Sequence, residues 1–218
     1  MKKIPIAGPG YKYLIPVALM TFLAYYYKCL PLFVFFLGLT LFIAFFFRDP
    51  IRKPPDGSNF ILAPADGRIV KIEKVHEDQF IKGEAIRIRI FLSLWDVHIN
   101  RSPYGGIVPF QRYIPGGYLS AFKEDAPLQN ERNLIGLLTG NGKILVVQIA
   151  GKVARRIVTW IKTGDLVEPG MPIGMIKFGS GTELYLPTDV IINVKEGDRV
   201  RGGETVLGEF QRDKKIYS

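Results

Sequence analysis

One cysteine and two histidines are all that this chain of 218 residues offers to thiol or soft-metal chemistry. Cys29 alone excludes an intramolecular disulfide framework, and with only His76 and His98 beside it no thiolate-imidazole zinc site is expected. The sequence has no arginine-rich run and no aromatic RNA-binding signature, so nucleic acid is not the expected partner of its +9 formal charge. An acidic membrane surface is. Charge is scarce locally as well: from Tyr13 to Phe47 the only charged residue is Lys28. After Arg48 the opposite holds, and charged and apolar residues alternate without any long 3.6-residue period.

That asymmetry implies two solvents. Residues 13–27 and 30–47 form two apolar runs broken by Lys28 and Cys29, and Pro31 disfavours one continuous helix, so a helical hairpin is predicted. The second run is about long enough to cross a bilayer; the first either spans or dips in, with its tyrosines at the interface. Lys2, Lys3 and Lys12 precede the hairpin and Arg48, Arg52 and Lys53 follow it, which places both ends in the cytoplasm. A cleaved signal peptide fits poorly, because a second apolar run follows at once. Residues 1–47 are therefore read as a membrane anchor and 48–218 as a β-rich domain facing the cytoplasm. The bland alternative is a buried helical pair in a soluble protein, and detergent dependence separates the two.

Past the Pro- and Asp-rich stretch at 47–60, short alternating runs recur at 67–75, 85–93, 143–151, 155–163, 182–187, 189–194 and 204–210. Residues 130–138 read equally as a short helix or a strand. An internal echo links IKTGDLVEPGMPIGMI (161–176) with VKEGDRVRGGETVLGE (194–209), each with a Gly-Asp turn and a later turn glycine. Each copy resembles the hammerhead of lipoyl- and biotinyl-like barrel-sandwich domains, and APADGRIV (63–70) resembles another edge of that architecture. The expected fold is thus mainly β, barrel-sandwich-hybrid-like. The lysine on which such carrier domains load their group is missing; Gly179-Ser180 stands in a comparable turn.

A serine hydroxyl can attack the carbonyl of its preceding peptide bond when a turn holds them together and a base takes the proton. The resulting ester opens by elimination, and hydrolysis of the new chain end leaves a pyruvoyl group. That ketone can serve as an electron sink for decarboxylation, a role usually given to a bound cofactor. Gly-Ser is above all a turn signal, however, so context must carry the claim.

The context is an ordered series: FFRDPIRKPP (46–55), APADGRIV (63–70), FLSLWDVHINRSP (91–103), NERN (130–133), ARRIVTWIKTGDLVEPG (154–170) and KFGSGTELYLP (177–187). Over nearly its whole length the chain resembles the short, pyruvoyl-dependent form of phosphatidylserine decarboxylase; an archaetidylserine decarboxylase is also compatible. The resemblance implies autocatalytic cleavage between Gly179 and Ser180, giving a β chain of residues 1–179 and an α chain of 180–218 that stay together as a heterodimer. It implies a pyruvoyl group derived from Ser180 as the only cofactor, no metal, and an aminophospholipid substrate with diacyl or ether-linked tails.

The same resemblance suggests roles. Ser180 is nucleophile and pyruvoyl precursor, and Gly179 supplies the attacked carbonyl. His98 is the candidate acid-base group, since an imidazole can take the hydroxyl proton and later protonate a carbanion. Asp66 matches the aspartate that works with histidine and serine in the family, with Asp96 a lower-ranked alternative. Larger relatives carry a second histidine where this chain has Arg101, so the family's cleavage base does not transfer directly. The position after Ser180, commonly basic, is Gly181. Arg155 and Arg156 are either phosphate ligands or a solvated edge, and His76 is an exposed bystander. The rival reading is a non-catalytic, membrane-tethered barrel-sandwich adaptor, which would remain one full-length chain.

Overall fold

The computed structural model describes residues 6–117, 129–151, 156–177 and 180–211, with Ser180 through its backbone alone. The chain divides into two compact units, Met1–Ile51 and Arg52–Ser218.

In the first unit, helices α1 (Tyr11–Tyr26) and α2 (Leu30–Phe46) form the expected hairpin. Its turn is made by Lys28, which takes a left-handed φ of 55°, and its base is closed by the Ala7 N–H donating to Phe47 O at 2.8 Å. Between the helices the hydroxyls of Thr21 and Thr40 meet at 2.9 Å, while each also bonds the carbonyl four residues back. Self-satisfied hydroxyls of this kind suit an apolar surrounding, where an unmet donor is costly. The outer faces are apolar, with Phe22, Tyr25, Leu30, Phe35 and Leu41 each more than 60% exposed. Helices of 16 and 17 residues extend about 24 and 26 Å, against about 30 Å of bilayer hydrocarbon. Among the described residues no helix is long and apolar enough to cross a membrane. The second helix ends at Phe46, one residue inside the apolar run.

The second unit is mainly β, as expected. In chain order its strands are β1 (Phe60–Leu62), β2 (Gly67–Glu77), β3 (Gly83–Leu92), β4 (Ile99–Arg101), β5 (Gly106–Ile114), β6 (Arg132–Thr139), β7 (Gly142–Ala150) and β8 (Ile157–Thr159). Then follow β9 (Leu166–Val167), β10 (Pro172–Ile176), β11 (Ser180–Leu186), β12 (Ile191–Ile192), β13 (Arg199–Val200) and β14 (Val206–Glu209). One sheet runs β13-β2-β3-β11-β7-β6-β5-β9, and two three-stranded sheets run β1-β14-β12 and β4-β10-β8. The stretch left open between helix and strand is β6, because pairing on both edges, to β5 and β7, outweighs its weak local preference.

The internal echo is a structural repeat. Gly164 and Gly197 both take positive φ, 97° and 93°, where a side chain would be strained. In each turn the aspartate that follows accepts a backbone N–H at 2.9 Å, Lys162 to Asp165 and Lys195 to Asp198. Gly164 and Asp165 then bond Val108 through N–H and carbonyl, and Gly197 and Asp198 bond Ile69 in the same way. One half therefore turns β5 as the other turns β2. Arg101 N–H to Pro64 O and Leu62 N–H to Pro103 O, both 2.8 Å, tie the halves at their meeting point. The core between the sheets is aliphatic, with Ile61, Ile69, Ile88, Ile90, Ile135, Leu137, Ile144 and Leu184 almost wholly buried. A rigid frame of this kind can hold the ends of several strands in fixed register.

Candidate active site

Ser180 opens β11 with its backbone paired on both sides, to Leu92 at the end of β3 and to Ala150 at the end of β7. Arg68 of β2 pairs with Phe91, so Asp66, just before β2, lies at the same margin of the sheet. By strand spacing β2 and β11 are about 10 Å apart. The chain reaches Ser180 from β10, whose Ile176 N–H donates to His98 O at 3.1 Å. His98 is thereby held beside the segment that enters Gly179-Ser180. Gly179 itself lies outside the described residues.

The His98 side chain is fully buried, and its Nδ1 stands 2.9 Å from Asp96 O. A neutral imidazole donating from Nδ1 keeps its basic lone pair on Nε2. The Asp96 carboxylate is used elsewhere: Oδ2 accepts from Ser93 N–H at 2.8 Å and Ser93 Oγ–H at 2.7 Å, closing a tight turn. Asp96 thus orients His98 through its backbone.

Asp66 is engaged by other groups. Its Oδ2 accepts from Arg52 Nη2 at 2.7 Å and its Oδ1 from Gly202 N–H at 2.7 Å, and it makes no hydrogen bond to His98. Arg52 is nearly buried and bridges Asp66 to Glu204, Nη1 to Oε2 at 2.7 Å. Burial raises the Asp66 pKa above the usual carboxylate value; Arg52 and the Gly202 N–H pull it back, and the nearby charge of Asp96 adds a smaller upward push. Arg101, where larger relatives place a second histidine, is buried and donates from Nη1 to Gly170 O at 3.1 Å.

A buried chain of neutral polar groups runs under β11. Asn100 Nδ2 donates to Thr182 Oγ1 at 2.8 Å, Gln148 Nε2 to Asn100 Oδ1 at 2.8 Å, and Asn133 Nδ2 to Gln148 Oε1 at 2.9 Å. Asn133 Nδ2 also lies 3.0 Å from Thr159 Oγ1. The chain joins β4, β6, β7, β8 and β11. Asn100 is two residues from His98, and Thr182 is two residues from Ser180 along β11. Each member of such a network supports the next, because an unmet donor in this interior is expensive.

On the other phase of β11, buried Glu183 accepts from Tyr185 OH at 2.7 Å and faces Arg89 Nε at 3.2 Å. Burial, then the Glu183 charge, drives the Tyr185 phenol above its ordinary pKa, so it stays a donor. The strand that begins with Ser180 is therefore held on both faces and both edges.

Arg156 is exposed, and its carbonyl accepts Lys177 N–H at 3.3 Å; Arg155 lies outside the described residues. His76 is exposed and pairs with Asp78 and Glu84 at 3.2 and 3.3 Å, away from β11. A Cβ on Gly181 would meet only Ile90 O, at 3.7 Å, so glycine is not sterically required there.

Sequence reasoning passed over Asn100, Asn133, Gln148 and Thr182, and also Arg52 as the partner of Asp66. Their signal was present but faint: each amide or hydroxyl interrupts an aliphatic run on its buried phase, where a polar group implies a partner.

A sequence model of a family described as phosphatidylserine decarboxylase matches residues 39–208. A protein of Desulfotalea psychrophila is 42% identical over 95% of this chain and 98% of its own length. One from Carboxydothermus hydrogenoformans is 45% identical over 93% and 95%, and one from Symbiobacterium thermophilum 46% identical over 79% and 81%. All three carry the name phosphatidylserine decarboxylase proenzyme.

Proposed function

The chain belongs to the phosphatidylserine decarboxylase family, and on that premise we propose that it cuts itself between Gly179 and Ser180 and then converts phosphatidylserine to phosphatidylethanolamine and CO2. The observation that carries this reading is the setting of Ser180, the first residue of a strand paired on both edges and entered past His98. A nucleophile for internal attack needs such immobilisation, since a fixed geometry replaces the entropy a loose loop would lose.

In this reading the Ser180 hydroxyl attacks the Gly179 carbonyl, which lacks a flanking side chain. His98 receives the hydroxyl proton at Nε2, its ring set by the Nδ1 contact to Asp96 O, and passes it to the Ser180 nitrogen as the C–N bond breaks to leave an ester. Loss of the Ser180 Cα proton then expels the Gly179 carboxylate, and water releases ammonia from the dehydroalanine end. Asp66, charge-shared with Arg52 and Glu204, contributes a fixed negative field at the same margin of the sheet rather than a direct bond to the imidazole. The products are residues 1–179 and 180–218, held together because β11 keeps its partners β3 and β7 from the larger chain. The pyruvoyl group so formed supplies the electron sink for breaking the bond to CO2. His98 then returns a proton to the substrate carbon. Arg156, exposed and bonded through its carbonyl to Lys177 N–H, is the candidate to receive the lipid phosphodiester, since guanidinium suits phosphate.

The hairpin of residues 1–47 anchors the β-rich domain, 48–218, at the cytoplasmic face of the membrane. Its short helices, apolar flanks and paired threonines favour insertion as a re-entrant dip with both ends on one side.

Denaturing electrophoresis and mass spectrometry test the proposal. Wild-type chain should yield a fragment 180–218 with a blocked N-terminus, and Ser180→Ala should remain whole. Wild-type protein should release CO2 from phosphatidylserine and lose that activity after borohydride. An uncut, active wild-type chain would falsify the self-processing reading.

A further inference from the structure

The turn between Leu92 and His98 displays apolar side chains to solvent. Leu94 is 40% exposed and Trp95 67%, although the turn carrying them is rigidly closed by the Asp96 carboxylate on Ser93. A stiff turn that presents a tryptophan outward is unusual in an interior-seeking residue type. Leu92 pairs with Ser180, so Trp95 lies within about 11 Å of that strand end along the chain.

Cations adjoin this tip. Arg199 and Arg68 are register partners on β13 and β2, and both are exposed. Arg199 Nη1 reaches to 4.0 Å from Asp96 Oδ1 at the base of the tip, with its side chain 71% exposed. Like charges directly opposite across a sheet repel. Two guanidinium groups at such a site are relieved by an anion, and guanidinium is well matched to phosphate.

We propose that the Ser93–Asp96 turn is a membrane-contacting tip of the β-rich unit: Leu94 and Trp95 enter the headgroup-acyl boundary of an anionic bilayer, and Arg68 and Arg199 engage lipid phosphates. Tryptophan is favoured at that boundary, where its ring is apolar and its N–H finds a polar partner. An interfacial element buries about 5–10 Å, and the tip lies only three residues from the Leu92 that pairs with Ser180. A lipid headgroup could then reach His98 without leaving the leaflet. The inference rests on the reading that this site acts on a lipid, but it assigns the contact to residues outside the reacting set.

The chain has only two tryptophans, Trp95 and Trp160, so Trp160→Phe leaves Trp95 as sole reporter in the full-length protein. Phosphatidylglycerol-phosphatidylcholine vesicles with brominated acyl chains should blue-shift its emission and quench roughly half of it or more. Trp95→Phe, which leaves Trp160 as reporter, should show little quenching. Adding Arg68→Ala and Arg199→Ala should reduce the quenching of Trp95, and raised salt should do the same. If Trp95 emission stays unshifted and unquenched on protein that co-sediments with the vesicles, the tip does not enter the bilayer. Equal quenching with and without the two arginines removes their assigned role. The measurement is repeated on Ser180→Ala chain, so a failure of self-processing and a failure of membrane contact give separate results.

Discussion

The Asn100 side-chain amide donates to the Thr182 hydroxyl at 2.8 Å, joining the strand after His98 to the strand that begins with Ser180. Both residues are fully buried. Thr182→Val leaves the shape of the site intact and an amide donor unmet, which should cost about 1–3 kcal/mol. Self-cleavage of the folded chain should slow. The double variant Asn100→Leu with Thr182→Val should be less destabilised than the sum of the single changes, since both polar partners are removed together. Thermal midpoints and cleavage half-times of all three variants check this; strict additivity would show that the two side chains act independently.

His98 is wholly buried, with Nδ1 turned to Asp96 O. His98→Gln keeps much of the side-chain volume and removes the titratable nitrogen. Self-cleavage and lipid decarboxylation should each fall by about 10²–10⁴-fold. A time course of chain cleavage and CO2 release from the cleaved fraction separates the two roles. Normal decarboxylation per cleaved molecule would restrict His98 to self-processing.

Arg52 bridges Asp66 and Glu204, one guanidinium between two carboxylates. Arg52→Met should lower stability by about 3 kcal/mol, because removing one partner leaves a carboxylate in a poorly solvated place. Calorimetric or fluorescence unfolding measures the loss, and Asp66→Asn in the same background should recover part of it.

Asp66 should titrate above the ordinary 3.8, because burial outweighs the pull of Arg52. A carboxylate whose folded-state value is raised binds its proton more tightly in the native state. Its ionisation therefore costs stability, a cost absent below the unfolded value and complete once pH has risen through the folded value. The stability of wild type relative to Asp66→Asn should fall with rising pH across that window. Carbon-13 titration of the Asp66 carboxyl reads the midpoint directly, and a midpoint below 3.8 would reverse the sign.

Gly181 has room for a Cβ and an ordinary strand register with Phe91 and Ile149. Gly181→Arg should fold as well as wild type or slightly better, through a less flexible unfolded chain. It should also retain self-cleavage. A Tm drop of several degrees would mean that glycine is needed there after all.

Much of this architecture follows from local pattern. The charge-free stretch announces the hairpin, alternation announces strands, and Gly164-Asp165 and Gly197-Asp198 announce paired turns whose hydrogen bonds later prove equivalent. Residues 130–138 could not be decided by the same means, because β6 is a strand by virtue of its neighbours on both edges.

The candidate site divides in the same way. Ser180 and His98 came forward only through the ordered series of motifs around them, because Gly-Ser by itself is above all a turn signal. The linear chain did not reveal that Asp66 answers to Arg52 and Gly202 rather than to His98, or that Asn100, Gln148, Asn133 and Thr182 form one chain. Residues 82 positions apart meet in the Asn100–Thr182 bond. Side-chain alternation and turn propensity act over a few residues and can be read from order alone. Which distant polar groups satisfy one another is settled only when the sheets close and water is excluded.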